Sequence, residues 1–224
     1  MMIGFYILVL FGLGSVDTAR QSNEFMDYML RLVNGEAEPY RLEALPVPDF
    51  NVTVNSNWFT NRAFKAKFQK GTIRGLTRIR RKGDCQPTRW IHGNITLVCT
   101  LDLSTIIASY EVNAKGHSLN PRTDWMDVHV KVEVGTAGFE AQSFPNRPPY
   151  IKTFIIQLPF ELSVRRVPRK SPIDLNEGRS VELTRQIVQY AERAIQDAVL
   201  GTYLKALTRV MTKNSDVLIL PPVK

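Results

Sequence analysis

The chain has 224 residues, of which 44% are hydrophobic and 22% charged, and a formal net charge of +8. That length suits one domain with a substantial core, and the composition excludes a disordered, collagen-like or low-complexity chain. The positive balance favours anionic partners, such as acidic lipid headgroups, bacterial envelope lipids, sulfated glycans or nucleic acid, without choosing among them.

Met1 to Val16 carry no charged side chain and include the apolar run from Ile3 to Leu13. The run is too short for an ordinary membrane span and has the form of a secretory leader. We therefore expect a signal peptide over residues 1–19, cut near Ala19, and a single domain over residues 20–224; an uncleaved anchor is the alternative. Removing the leader deletes one acid, Asp17, and makes the chain more basic by one charge. Two further features fit a secreted, extracellular protein. Asn51-Val52-Thr53 and Asn94-Ile95-Thr96 are acceptor sequences for N-glycans at Asn51 and Asn94. Cys85 and Cys99 are the chain's two cysteines and suit one disulfide, which would contribute roughly 3 kcal/mol by closing its loop.

Phe25, Tyr28, Met29, Leu32 and Val33 recur at helical spacing, with Ser22 placed as a cap and Gly35 beyond the last turn. Pro39, Pro46 and Pro48 mark an extended crossing in which Leu42, Leu45 and Val47 can tuck inward. A first strand is expected from Trp58 to Lys82, where Phe64, Ala66 and Phe68 alternate with polar residues and Gly71 and Gly75 mark bulges. A second runs from Asn94 to Lys115. In the third, Met126, Val128, Val130, Val132 and Val134 face one side and Asp127, His129, Lys131 and Glu133 the other. The fourth runs from Tyr150 to Val167, with Ile156, Leu158, Phe160, Leu162 and Val164 on one side and Pro159 favouring an edge or a bulge.

From Arg179 to Lys213 an apolar face running through Val181, Ile187, Ala191, Ile195, Val199, Tyr203, Leu207 and Met211 predicts a helix of roughly 50 Å. An apolar face so long needs an equally long trough, which four antiparallel strands can supply. The expected class is α+β: a long, curved four-stranded antiparallel sheet around a long C-terminal helix and a shorter N-terminal one. The absence of strand-helix-strand alternation argues against a nucleotide-binding parallel sheet.

The segment from Lys70-Gly71-Thr72-Ile73-Arg74-Gly75 to Arg80-Arg81-Lys82-Gly83-Asp84, and the approach Leu45-Pro46-Val47-Pro48-Asp49, resemble the house-dust-mite group 7 allergens. The order of elements matches over residues 22–213. That family is similar to the bactericidal permeability-increasing and lipopolysaccharide-binding proteins and to insect juvenile-hormone-binding and takeout-like carriers. The resemblance implies a half super-roll enclosing an elongated apolar groove, and so a lipid or other hydrophobic ligand as partner. An acyl chain gains about 0.8 kcal/mol per buried methylene, enough for binding without specific polar contacts.

Candidate groove residues are Phe64, Phe68, Ile73, Leu76, Val130, Ile156, Phe160, Ile187, Ile195 and Val199, with plain core as the alternative for each. Arg74, Arg78, Arg80, Arg81 and Lys82 form a candidate site for an anionic membrane lipid or glycan, which gives the alternative function of a secreted recognition or antimicrobial protein that binds bacterial envelope lipids or acidic glycans, and Arg165, Arg166, Arg169 and Lys170 form a second basic group. If the two groups met, a headgroup site would be the better reading. Trp58, Trp90 and Trp125 are read as sealing the ends of the core, with insertion into a membrane interface as the alternative. His92, His117 and His129 stand in no metal-ligand spacing, and no nucleophile elbow, phosphate loop or zinc-protease motif is present. We expect no enzyme, no catalytic or metal residues, no cofactor and no nucleic acid partner.

Overall fold

The computed structural model describes residues 7–56, 63–116, 123–145, 147–170, 173 and 175–223, except for the side chains of residues 7–17. Trp58 and His117 lie outside these residues. The first helix, α1, spans Ile7–Gly35, so the expected start at Ser22 is corrected. Ser22 is buried within the helix and its hydroxyl donates to the Thr18 carbonyl at 2.9 Å, a bond made inside helices and not at their caps. Met26, Met29 and Val33 are fully buried, as their helical spacing requires. No described helix is long and apolar enough to cross a membrane.

The described strands form one nine-stranded sheet in which every pairing is antiparallel. After the crossing, where Leu42 is buried and Leu45 and Val47 are partly so, β1 (Leu45–Val47) and β2 (Phe50–Val54) both pair with β3 (Phe64–Arg74). A short 3-10 turn follows, then β4 (Arg80–Arg81), β5 (Arg89–Ile91), β6 (Asn94–Asp102), β7 (Ile107–Lys115), β8 (Thr123–Ser143) and β9 (Tyr150–Pro168). The four expected strands survive as four ranks, two of them broken. One break is fixed by Gly75, whose φ of +93° is left-handed and where a Cβ would lie 2.0 Å from the Thr105 carbonyl oxygen. The other is the turn between β6 and β7, where the Ile106 amide donates to the Leu103 carbonyl at 3.1 Å.

The third strand changes phase midway. Met126, Val128, Val130 and Val132 point into the core as the alternation predicts, but Val134 is 36% exposed. Register shifts on either side of Val134 insert an extra residue, so the inward set becomes Ala137, Phe139 and Ala141 through to the strand's end at Ser143. Opposite this bulge on β9, Leu158 is 88% exposed beside Pro159, which corrects its assignment to the inner face. Ile156, Phe160, Leu162 and Val164 pack against the core as expected, and β9 is an edge strand.

The terminal helix comprises α2 (Glu177–Asp197), a six-residue π segment (Ala198–Tyr203) and α3 (Leu204–Lys213), with helical backbone across both junctions. Asn176 caps its start by accepting from the Arg179 amide at 3.1 Å. Its buried stripe advances in steps of four through Leu183, Ile187, Ala191, Ile195, Val199, Tyr203, Leu207 and Met211. At about 100° per residue each such step drifts by about 40° in an α-helix. The wider turns of the π segment swing the stripe back, so α3 keeps its apolar side on the core. Val181, assigned to that stripe from the sequence, is 62% exposed, and Leu183 takes its place. Opposite edges of the sheet both touch this helix, β2 against α2 and β9 against α2 and α3, so the sheet curls around it.

Candidate functional site

Among the described residues, the trough between sheet and helix is packed with side chains. Phe64, Phe68, Ile73, Leu76, Val130, Ile187, Ile195 and Val199, all candidates for groove lining, are 0% exposed within one continuous core. Ile156 and Phe160 are partly buried at its β9 margin. Packing is close there: a Cβ on Gly135 would come within 3.0 Å of the Phe160 ring and 2.7 Å of Val132. Side chains of the chain itself therefore occupy the positions read as ligand lining.

An opening lies on the other side of the terminal helix. A cavity of about 800 Å³ is lined by Leu200 and Gly201 of the π segment, by Leu204, Lys205, Thr208, Arg209, Thr212 and Lys213 of α3, and by Tyr40. Leu200 is 40% exposed, so the outward face of the helix presents apolar surface where a solvated helix would carry polar groups. Thr208 and Thr212 donate their hydroxyls to the carbonyls of Leu204 and Thr208, each at 2.9 Å, and so bring no unsatisfied polar group to the wall. Gly201 has nothing within 4 Å of its ideal Cβ, which leaves the floor open at that point. Tyr40 is held over the helix by the turn after α1, in which the Leu42 amide donates to the Ala37 carbonyl at 3.0 Å and both side chains are buried.

Three cations rim the cavity. Lys213 donates to the Glu36 carboxylate, and this hydrogen bond, with the charges of Lys213 and Arg209, outweighs desolvation and holds the Glu36 carboxyl below its usual range. Lys205 and Arg209 make no ion pair among the described residues. An apolar floor with two uncommitted cations at its margin suits an amphiphile with an anionic head. Sequence reasoning missed Tyr40, Leu200, Leu204, Lys205 and Arg209. The signal available was Leu200 and Leu204, two leucines interrupting the polar side of the helix at i, i+4 spacing.

The basic run assigned from the sequence is divided. Arg81 is a structural clamp: its guanidinium meets both carboxylate oxygens of Asp27 on α1 at 3.2 Å, reaches Asp84 at 3.4 Å and donates to the Gly83 carbonyl. Arg80 is paired with Asp102 at 3.5 Å. Arg74, Arg78 and Lys82 remain exposed. Asn23 of α1 completes the clamp by donating to Asp84 at 2.9 Å and accepting from the Cys85 amide at 2.8 Å, beside the Cys85–Cys99 disulfide. In the second basic group, Arg166 donates to Ser180 at 2.8 Å and Arg169 grips Asp127 at 3.0 and 2.5 Å. The two groups do not form one site, because β7 and β8 separate Arg74 on β3 from Arg165 on β9 by about 14 Å.

Ser109 and His129 meet on the outer face of the sheet, with the serine Oγ 3.0 Å from His129 Nδ1. The carboxylate two residues before the histidine, Asp127, is bound by Arg169 and is not hydrogen-bonded to the ring. Among the described residues no group of three or more His, Cys, Asp or Glu could hold a metal ion. Trp90 is 53% and Trp125 37% exposed, so neither seals the core; Trp125 carries the Arg169 guanidinium 5.9 Å from its ring centre. Asn51 is exposed on β2, and Asn94 is half-buried where β5 turns into β6.

No family model matches the chain. It is 26% identical over 200 residues to the salivary anticoagulant protein P23 of Ixodes scapularis, covering 86% of this chain and 87% of that protein. Among solved structures it is similar to a lipopolysaccharide binding protein, at 14% identity and a TM-score of 0.47. The match covers 92% of this chain and 38% of the other, so the chain spans about two fifths of that protein. It is also similar to Takeout 1 of Epiphyas postvittana, at 14% identity and a TM-score of 0.37, covering 78% of this chain and 80% of the other.

Proposed function

We propose that the chain is a secreted binding protein for a lipid or other hydrophobic ligand with an anionic head. The cavity over the π segment carries this reading, since it sets Tyr40, Leu200 and Leu204 beside Lys205 and Arg209. The resemblance of residues 45–49 and 70–84 to the dust-mite group 7 allergens, with the half super-roll it implies, points the same way. A leader over residues 1–19, a disulfide, and N-glycans at Asn51 and Asn94 belong to this reading, and the salivary relative supports export.

Titration of the protein with a fluorescent fatty acid tests it. Leu200→Glu places an acid in the cavity at a side chain that is 40% exposed, and is expected to weaken binding at least tenfold while the melting temperature holds. A fatty acid that binds the variant as well as the native protein would remove the cavity from the proposal. Native mass spectrometry of the secreted protein then identifies the ligand by the mass of the noncovalent adduct.

The tick relative favours a second reading, interference with blood clotting. Prolonged plasma clotting times on addition of the purified protein support it, and unchanged times at micromolar concentration count against it.

A further inference from the structure

The outer face of β3 and β7 carries a charge pattern that neither the lipid cavity nor the fold uses. The register sets Lys65 of β3 directly opposite Lys115 of β7, with Lys67 two residues along opposite Asn113. All three lysines are exposed and none makes an ion pair among the described residues. Like charges directly opposite across a strand pair are destabilising, and a sheet that needs only stability replaces one of them with a neutral or acidic residue. The neighbours in the same rows are neutral: Thr53 and Asn51 on β2, Thr123 and Trp125 on β8. The acid nearest by register, Glu111, is held by Lys70 at 3.1 Å and Arg169 at 3.5 Å. The sequence makes the imbalance wider than these rows. Residues 50–83 contain nine Lys and Arg and no Asp or Glu, and residues 112–123 contain no acid either.

We infer that this face binds a sulfated glycan. Three lysines across two paired strands form a flat array, their Cβ atoms about 5 Å apart across the pair and about 7 Å apart along β3, from which flexible side chains can follow a linear polyanion lying on the sheet. Interleaved Thr53, Asn113 and Thr123 offer hydrogen bonds to hydroxyls and sulfates, and Trp125 is the one large apolar side chain in these rows, where a face meant for a bilayer would project several. The like-charge opposition is then relieved by the ligand. The site is also distinct from the run Arg74 to Lys82, two of whose five members, Arg80 and Arg81, are committed to Asp27, Asp84 and Asp102.

The test uses the full secreted protein over immobilised heparin oligosaccharide at graded NaCl, with Asn51→Gln protein alongside because an N-linked chain there would project from the edge of the same row. Lys115→Glu is expected to lower heparin affinity at least tenfold and flatten the salt dependence, while its melting temperature holds or rises because the like-charge pair is gone. Lys67→Thr, which alters no cross-strand charge pair, is expected to lose about threefold and serves if the first variant folds poorly. A triple Arg74→Ala, Arg78→Ala, Lys82→Ala variant is expected to stay within about twofold of the native protein. Unchanged affinity in the two lysine variants, or an equal loss in the arginine triple, would overturn the inference. So would binding through these lysines to phosphatidylserine vesicles but not to heparin, which would make the face a membrane contact.

Discussion

The two faces of the terminal helix carry similar residues at the same spacing and meet opposite fates. Inward, Ile187, Ala191, Ile195, Val199 and Leu207 are fully buried under the curled sheet. Outward, Leu200 and Leu204 stand at the same i, i+4 interval and line a cavity to which, among the described residues, Tyr40 contributes from outside the helix. Apolar periodicity therefore marks surface that seeks cover without saying whether the chain or a ligand supplies it. The largest effect expected from this contrast is on the inner face. Ile195→Ala removes a fully buried side chain and should cost about 2–5 kcal/mol of stability by denaturant unfolding, with fatty-acid affinity of the folded fraction unchanged. A loss of affinity as large as the loss of stability would show that the two faces are not independent.

Titration separates the faces in opposite directions. Burial raises the phenol of Tyr203 on the inner face above its usual 10, and pushes Tyr110 beneath the sheet up to about 12. Groups whose folded pKa is raised stabilise fully below the unfolded value and cease to do so as pH rises through the folded one. Stability should therefore fall between pH 10 and about 12, and Tyr203→Phe should resist alkali better than the native protein in thermal melts. On the outer side, Glu36 is lowered from 4.5 by its hydrogen bond to Lys213. Its contribution is present above pH 4.5 and is lost as pH falls through the lowered value. The smaller stability gap between native protein and Lys213→Ala should accordingly be open at neutral pH and close in acid, and a gap that persists unchanged in acid would rule out the ion pair as its origin.

Much of the architecture was legible because it follows from periodicity. The alternation from Met126 to Val132, the stripe from Ile187 to Met211 and the breaks at Gly71 and Gly75 all report which side of an element is covered. The phase change at Val134 was not legible, because one extra residue in a strand leaves composition untouched and shows only in the pairing with β9. The site was hardly legible at all. Eight of the ten candidate groove residues are fully buried, since filling and lining demand the same side chains. Arg81 reads like its neighbours Arg80 and Lys82 until α1 brings Asp27 against it, and that contact joins residues 54 apart in the chain.

The smallest expected effect bears most directly on why the outer face is open. Gly201 sits within the π segment, lines the cavity and has nothing within 4 Å of its ideal Cβ, while the residues flanking that segment have helical backbone. Glycine in a helix costs roughly 0.5–1 kcal/mol relative to alanine, and nothing steric here opposes the larger residue. Gly201→Ala should therefore raise stability by about that amount, seen as a shift of up to about 4 °C in melting temperature. Its methyl group would reach the cavity floor without filling it, so fatty-acid affinity should change little, whereas Gly201→Leu should keep the helix and block the ligand. If alanine destabilises instead, the π turn itself depends on the missing side chain and the opening follows from how the helix resets its buried stripe. If alanine stabilises with affinity unchanged and leucine excludes the fatty acid, the floor tolerates a methyl group and nothing larger, as expected of the wall of a ligand site.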